Sequence, residues 1–271
     1  MKNIALIGVP IETVFIEDAD GFCIDSWESY SKGLTDKIRS QIMNSKTKNL
    51  NVIDKGELDF GIISESKVQQ RNFYYDAHHG MKLKNQIISL DNISEQKKTI
   101  KELSNLFDHV ICIGPSHFGA LLLYQPIDSV VRADFHGDYF RKDQDRYSGA
   151  SYGSYMITVK RDIKPRKVVN YGWGGLDSER KEEAMDLFGE VGVIGDDRYK
   201  NATLFDIDMD CFSPDLRMCS QPNCSDLRRY QIERMISEVK PPKIGIFEYR
   251  SDYDVLGNGA QFITNVIKAL E

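Results

Sequence analysis

The sequence predicts an α/β protein built on a mainly parallel β-sheet covered on both faces, and two observations carry that expectation. Short apolar runs of strand length alternate along the chain with stretches of helical period, the pattern left by strand-helix-strand crossovers. Ligand-type side chains, acidic residues and histidine, recur directly after four of those runs. In an open α/β sheet the C-terminal ends of the strands form the binding crevice. With 271 residues the chain can bury a large core, and one domain spanning 1–271 is favoured over two small ones.

The elements follow in order. Residues 3–8 (NIALIG) make the first strand, and an acidic, aromatic segment leads on to Ser31. A helix is expected over 33–44 and a short strand over 51–54. Residues 56–90 show no clear period. Within them 72–80 (NFYYDAHHG) reads as a loop over the site, because no apolar strand precedes Asp76, His78 and His79 and the position two after His78 is Gly80. A helix over 94–106 opens at Ser94 without the full capping box. A strand at 108–113, a helix through 120–124 and a strand at 128–133 come next. Strands at 167–171, 191–194, 202–205 and 243–247 alternate with helices at 178–187 and 226–239, and a helix over 258–270 closes the chain.

A formal charge of −6 without any Lys/Arg run argues against nucleic acid and against an anionic membrane surface as partners, and suits a small cationic substrate. The cysteines, Cys23, Cys112, Cys211, Cys219 and Cys224, are odd in number and contain no CxxC pair. They read as free thiols of a cytoplasmic protein, with Cys219 and Cys224 able to approach each other across a loop. The apolar run before Glu12 is too short for a signal-peptide core or a membrane span.

The chemistry concentrates in four places. Asp134-Phe135-His136-Gly137-Asp138 follows the strand at 128–133, and Asp206-Ile207-Asp208-Met209-Asp210 follows the run at 202–205. Gly114-Pro115-Ser116-His117 follows 108–113, and Glu248 follows 243–247. Strand residues two apart share a face, so Asp134, His136 and Asp138 can converge, as can Asp206 and Asp208. Any one of these carboxylates alone would read as a solvated loop residue or a helix cap. As a set they would repel and shift one another's pKa values, a conflict that divalent cations remove, and the layout is that of a two-metal hydrolytic site.

In chain order, GPSH at 114–117, DFHGD at 134–138, FDIDMD at 205–210 and FEYRSDYD at 247–254 resemble the arginase and agmatinase (ureohydrolase) family. IGVP at 7–10 and GNGAQFITNVIKAL at 257–270 extend the resemblance over most of the chain. It implies a doubly wound, three-layer α/β/α architecture and two Mn²⁺ per chain. One ion would be held by His117, Asp134, Asp138 and Asp206, the other by His136, Asp134, Asp206 and Asp208. Oxygen and imidazole donors without thiolate suit a hard to borderline ion. Asp210 is expected to be a supporting partner or a loop residue. The resemblance makes Glu248 the residue that pairs with a substrate guanidinium, a task for which a carboxylate can accept two parallel N–H bonds; the competing reading is a strand-end ion pair with Arg250. Asp177 falls where arginases receive a substrate amino group, or else it or Ser178 caps a helix.

Two positions depart from the family. Gly-Pro-Ser-His replaces Gly-Gly-Asp-His, which alters the support of His117. Ser151-Tyr152-Gly153-Ser154 stands where the family has a proton-shuttling histidine, so the shuttle is Tyr152 or is absent. Asp138, Glu248 and Tyr152 are thus the candidate catalytic residues. The implied activity is hydrolysis of a linear C–N bond in a guanidino or amidino compound, of arginase, agmatinase or formiminoglutamase type, by a homotrimer or homohexamer. The alternatives are a single-zinc deacetylase related to histone deacetylases and a metal-binding homologue with weak or no catalysis.

Overall fold

The structure, a computed structural model, describes residues 1–17, 23–30, 32–45, 47–60, 86–87, 90–138, 155–173, 189–212, 227–249 and 254–271. Its strands in chain order are β1 (Lys2–Gly8), β2 (Ile11–Glu17), β3 (Cys23–Tyr30), β4 (Leu50–Glu57), β5 (Gln86–Ile87), β6 (His109–Ile113), β7 (Ser129–Ala133), β8 (Lys167–Tyr171), β9 (Glu190–Val191), β10 (Leu204–Asp208) and β11 (Lys243–Phe247). Eight of them form a central sheet in the order β4-β1-β6-β11-β10-β7-β8-β9. Every pairing in it is parallel, so the mainly parallel sheet expected from the alternation is here wholly parallel.

Burial explains why these short runs are strands. β6, β7, β10 and β11 are buried along their full length, as parallel strands covered on both faces must be. Alternate residues feed two cores. Ile4, Leu6, Ile111, Val131, Phe205, Ile207 and Ile244 pack against the helices Asp36–Met43, Arg229–Val239 and Asn258–Lys268. Ala5, Ile7, Val110, Val130 and Leu204 pack on the other side against the helix Leu90–Leu106, the 3₁₀ turn His117–Leu122 and Tyr124, Tyr155 and Met156. The result is three layers, helix, sheet, helix, with the apolar contacts of both faces removed from water.

The topology places the crevice. From β6 the chain crosses over two strand positions to β7, and β10 and β11 later fill the gap. The strands β6, β11, β10 and β7 therefore lie side by side at the middle of the sheet, where the winding direction changes and a ligand site forms beyond the strand ends.

Several elements differ from expectation. The acidic, aromatic segment up to Ser31 contains β2 and β3, which pair antiparallel and join β5 in a separate sheet. The helix expected through 120–124 is a 3₁₀ turn that begins at His117, and the helix expected at 94–106 begins at Leu90. A single α-turn, Tyr155–Thr158, runs into the π-helical segment Val159–Ile163. Most consequential is β10, expected at 202–205 but observed at Leu204–Asp208. Asp206 therefore lies inside the strand and only Asp208 at its end. The helix expected at 178–187 lies outside the described residues.

Candidate metal centre

Four side chains converge first. His117 begins the 3₁₀ turn after β6, with Ser116 capping it through a bond accepted from the Phe118 amide at 3.3 Å. Gly114 makes the approach possible, since a Cβ there would lie 2.6 Å from the Val9 carbonyl oxygen. The His117 ring is fully buried, stacked on Phe247 with centroids 6.0 Å apart and tilted against Tyr155. Its Nδ1 lies 2.9 Å from Asp138 Oδ2, 2.9 Å from Asp208 Oδ2 and 3.1 Å from Asp134 Oδ2. Asp134 follows β7 and Asp208 ends β10, adjacent strands in which Ile207 is in register with Ala133, so the two carboxylates meet at the same height.

A second group shares Asp134. His136 Nδ1 donates to Asp210 Oδ2 at 2.6 Å, the Asp134 Oδ1 atom accepts from the His136 amide at 2.6 Å, and donors of Asp134, His136 and Asp210 lie within 4.8 Å of one another. The turn after β10 is fixed by Asp208 Oδ1, which accepts from the Asp210 amide at 2.9 Å. Asp208, Asp210 and Glu248 form a third such group. Glu248 and Asp138 both hold left-handed backbones, with φ of 58° and 47°. Non-glycine residues in that region cost about 1–3 kcal/mol and cluster at functional sites, and here the bend turns each carboxylate back over the strand ends.

Asp206 occupies another place. Its Cα is in register with Arg132 of β7 and Gly245 of β11, one side-chain tier below Asp208, roughly 6–7 Å down the strand. Its Oδ1 accepts from His117 Nε2 at 3.0 Å, and its Oδ2 accepts from the Tyr124 and Tyr155 hydroxyls at 2.6 and 2.9 Å. The clustered donors thus differ from the set implied by the family resemblance. Asp210 stands among the clustered donors and Asp206 stands behind His117, because the strand carries Asp206 below the crevice.

Sequence reasoning missed Arg132, Tyr124 and Tyr155. The buried Arg132 donates to the carboxylates of Asp134 and Asp138, to the His136 carbonyl at 2.9 Å and to the Tyr155 hydroxyl at 3.1 Å. A charged residue inside an apolar strand was the available signal, since an Arg there must find partners. Tyr152, Asp177, Arg250, His78 and His79 lie outside the described residues.

The electrostatics are those of crowded anions. Asp138, Asp208 and Glu248 are all pushed above the ordinary carboxylate range, first by burial and then by Asp134 on Asp138, by Asp210 on Asp208, and by Asp208 and Asp210 on Glu248. His136 is raised to about 9, chiefly by its bond to Asp210. Burial works against a charge on His117, but Tyr155, Asp206, Asp208 and Asp138 outweigh it and raise its pKa well above the usual value. Asp206 moves the other way. Burial would raise it, but His117, Arg132 and the bonds it accepts hold it low.

The donor set fits divalent cations. His117 Nδ1 is a buried nitrogen with no hydrogen-bond partner, although three carboxylate oxygens lie within 3.1 Å. A buried ring nitrogen facing three carboxylate oxygens is a ligand set for a cation that displaces the ring proton. Asp134, Asp208 and Asp210 each belong to two of the three clusters, so the clusters share carboxylates as a site for two neighbouring ions would.

Fold and site together define an arginase-like α/β/α protein with a buried His/Asp cluster at the ends of its central strands. No family model matches the chain and no curated protein matches it in sequence. Solved structures do. Arginase from Bacillus cereus superposes with a TM-score of 0.66 at 14% identity, over 100% of this chain and 98% of that one. Formimidoylglutamase from Bacillus subtilis subsp. subtilis str. 168 gives 0.67 at 13% identity, over 100% and 86%. Proclavaminate amidino hydrolase from Streptomyces clavuligerus gives 0.65 at 16% identity, over 99% and 90%. At these identities the likeness establishes the fold. Among the described residues no helix is long and apolar enough to cross a membrane.

Proposed function

We propose that this chain is a single-domain, cytoplasmic hydrolase that uses two Mn²⁺ ions to cleave a linear C–N bond in a guanidino or amidino compound. The observation that carries the reading is His117 Nδ1 facing the carboxylates of Asp134, Asp138 and Asp208, at the ends of central strands in a fold that superposes on solved arginase and formimidoylglutamase structures. His117, Asp134, Asp138 and Asp208 would hold one ion, and His136, Asp134, Asp208 and Asp210 the other. Bound there, the ions would supply Lewis acidity and an acidified water for attack on an electrophilic carbon.

The chain's own residues do the rest. Glu248, beside Asp208 and Asp210, is the anchor for the substrate cation, since a carboxylate can accept two parallel N–H bonds and so orient a planar guanidinium. His136, partly exposed, stands at the open side of the cluster. Asp177 and Tyr152 are proposed to contact the substrate, Tyr152 as a hydrogen-bond donor to the leaving amine; a neutral phenol with a pKa near ~10 donates but shuttles protons poorly at pH 7. A homotrimer or homohexamer is proposed from the family resemblance.

The test is to incubate metal-reconstituted protein with a panel of guanidino and amidino compounds and to measure urea, ammonia and formamide. Release of any of them, dependent on Mn²⁺, supports the reading. One zinc per chain in the best-loaded protein, with deacetylase activity, would replace it.

A further inference from the structure

Beneath the clustered donors lies a second, wholly buried polar tier made of Asp206, Tyr124, Tyr155 and Arg132. It meets the crevice in two places, through the His117 ring and through Arg132, which donates to the carboxylates of Asp134 and Asp138. Asp206 Oδ1 accepts from His117 Nε2 at 3.0 Å, while Oδ2 is taken by the Tyr124 hydroxyl at 2.6 Å and the Tyr155 hydroxyl at 2.9 Å. The Tyr155 oxygen in turn accepts from Arg132 Nε at 3.1 Å and lies 3.0 Å from the same His117 Nε2, where with its proton on Asp206 it is a second acceptor for the ring N–H.

We infer that Asp206 is not a metal ligand but the positioning residue that makes His117 a metal donor through Nδ1. A neutral imidazole carries one N–H, and the nitrogen that lacks it is the one that can ligate. An anionic acceptor at Nε2 holds the proton there and leaves Nδ1 bare toward Asp134, Asp138 and Asp208. Both oxygens of Asp206 are occupied by donors, and both hydroxyls sit on Oδ2, so Oδ1 remains free for the ring. The altered support of His117 expected from Gly-Pro-Ser-His is met from another strand: β10 supplies the carboxylate. The anion also polarises the ring and strengthens Nδ1 as a donor, an effect of metal-bound histidine pairs generally worth about 10–100-fold in metal affinity. This role rests on the metal-centre reading above.

The full-length protein tests it with Mn²⁺ alone as the calorimetric probe and Co²⁺ for spectroscopy. Asp206→Asn is expected to keep the wild-type number of ions but to bind the one at His117 about 10–100-fold more weakly. In the Co²⁺-loaded wild type the His117 Nε2 proton should appear as a slowly exchanging, strongly shifted NMR resonance, absent in His117→Ala and fast-exchanging or lost in Asp206→Asn. The double variant Tyr124→Phe, Tyr155→Phe keeps the carboxylate and removes its two other donors. It should weaken binding several-fold and speed that exchange, and it serves where Asp206→Asn does not fold. Wild-type affinity and an unchanged resonance in the variants would overturn the inference alone. A reduced ion count in Asp206→Asn would restore Asp206 as a ligand. A wild type that binds no divalent ion overturns the metal centre and this role together.

Discussion

Arg132 and Asp206 are cross-strand partners in the middle of the central sheet, in register on β7 and β10, and neither exposes more than 1% of its surface. A single phenol oxygen joins them, since Tyr155 accepts from Arg132 Nε and donates to Asp206 Oδ2. The positive member reaches up to Asp134 and Asp138 and the negative member reaches up to His117. The floor of the crevice therefore carries opposite fixed charges under two of its walls, each matched to the group above it.

Arg132→Met should destabilise the metal-free protein by about 3–5 kcal/mol, because it leaves buried carboxylates without their cation. Saturating Mn²⁺ should recover much of the loss, since bound ions neutralise the same carboxylates. Urea denaturation in chelator and in Mn²⁺ separates the cases. An equal loss in both would mean that the guanidinium acts through packing alone.

Ion counting tests the ligand division. Asp134→Ala should disturb both sites, His117→Ala mainly one, and Asp210→Asn should lower the count as His136→Ala does. Elemental analysis of reconstituted variants is the measurement. A full count in Asp210→Asn would remove Asp210 from the ligand set.

Without metal, stability should fall as pH rises from neutrality. The His136 pKa is raised from 6.5 to about 9 in the folded chain, so its contribution is fully present below about 6.5 and is lost as pH climbs through 9. The raised carboxyls of Asp138, Asp208 and Glu248 act in the same sense, because the folded state holds protons that the unfolded state has released. Denaturation midpoints in chelator at pH 6, 7.5 and 9 should decline in that order, less steeply in His136→Asn. Affinity for Mn²⁺ should rise over the same range as the metal displaces those protons. A midpoint that rises from pH 6 to 9 in chelator would contradict the protonated cluster.

Glu248→Gln should keep the ions and lose roughly 2–5 kcal/mol of binding or transition-state stabilisation for a guanidinium substrate, as a charge-assisted pair becomes neutral. Steady-state kinetics on the compound identified by the panel gives the answer. Unchanged kcat/KM would take Glu248 out of the substrate contact.

The parallel sheet was legible because its strands are nearly continuous apolar runs, and the crevice because carboxylates follow those runs. Register was not. In Phe205-Asp206-Ile207-Asp208-Met209-Asp210 two overlapping Asp-x-Asp pairs fit equally, and the choice depends on where β10 ends, which a run of buried residues does not mark. Arg132 was passed over because its partners, Asp134, Asp138 and Tyr155, come from the next turn and from a helix of only four residues, too short to show a helical period. The pair β2 and β3 was hidden by charged and aromatic residues on alternating positions, a weak signal beside the core strands.

The cluster residues spring from the ends of four neighbouring strands, and backbone hydrogen bonds hold such neighbours about 4.8 Å apart. The spacing of the reactive groups is therefore inherited from the sheet and not from the connecting segments. To widen or narrow the crevice floor, the protein would have to slip a strand by two residues, which would carry buried side chains into new layers. The strands and the first turns after them thus guard the chemistry against drift, and change in the crevice is left to the chain beyond those turns.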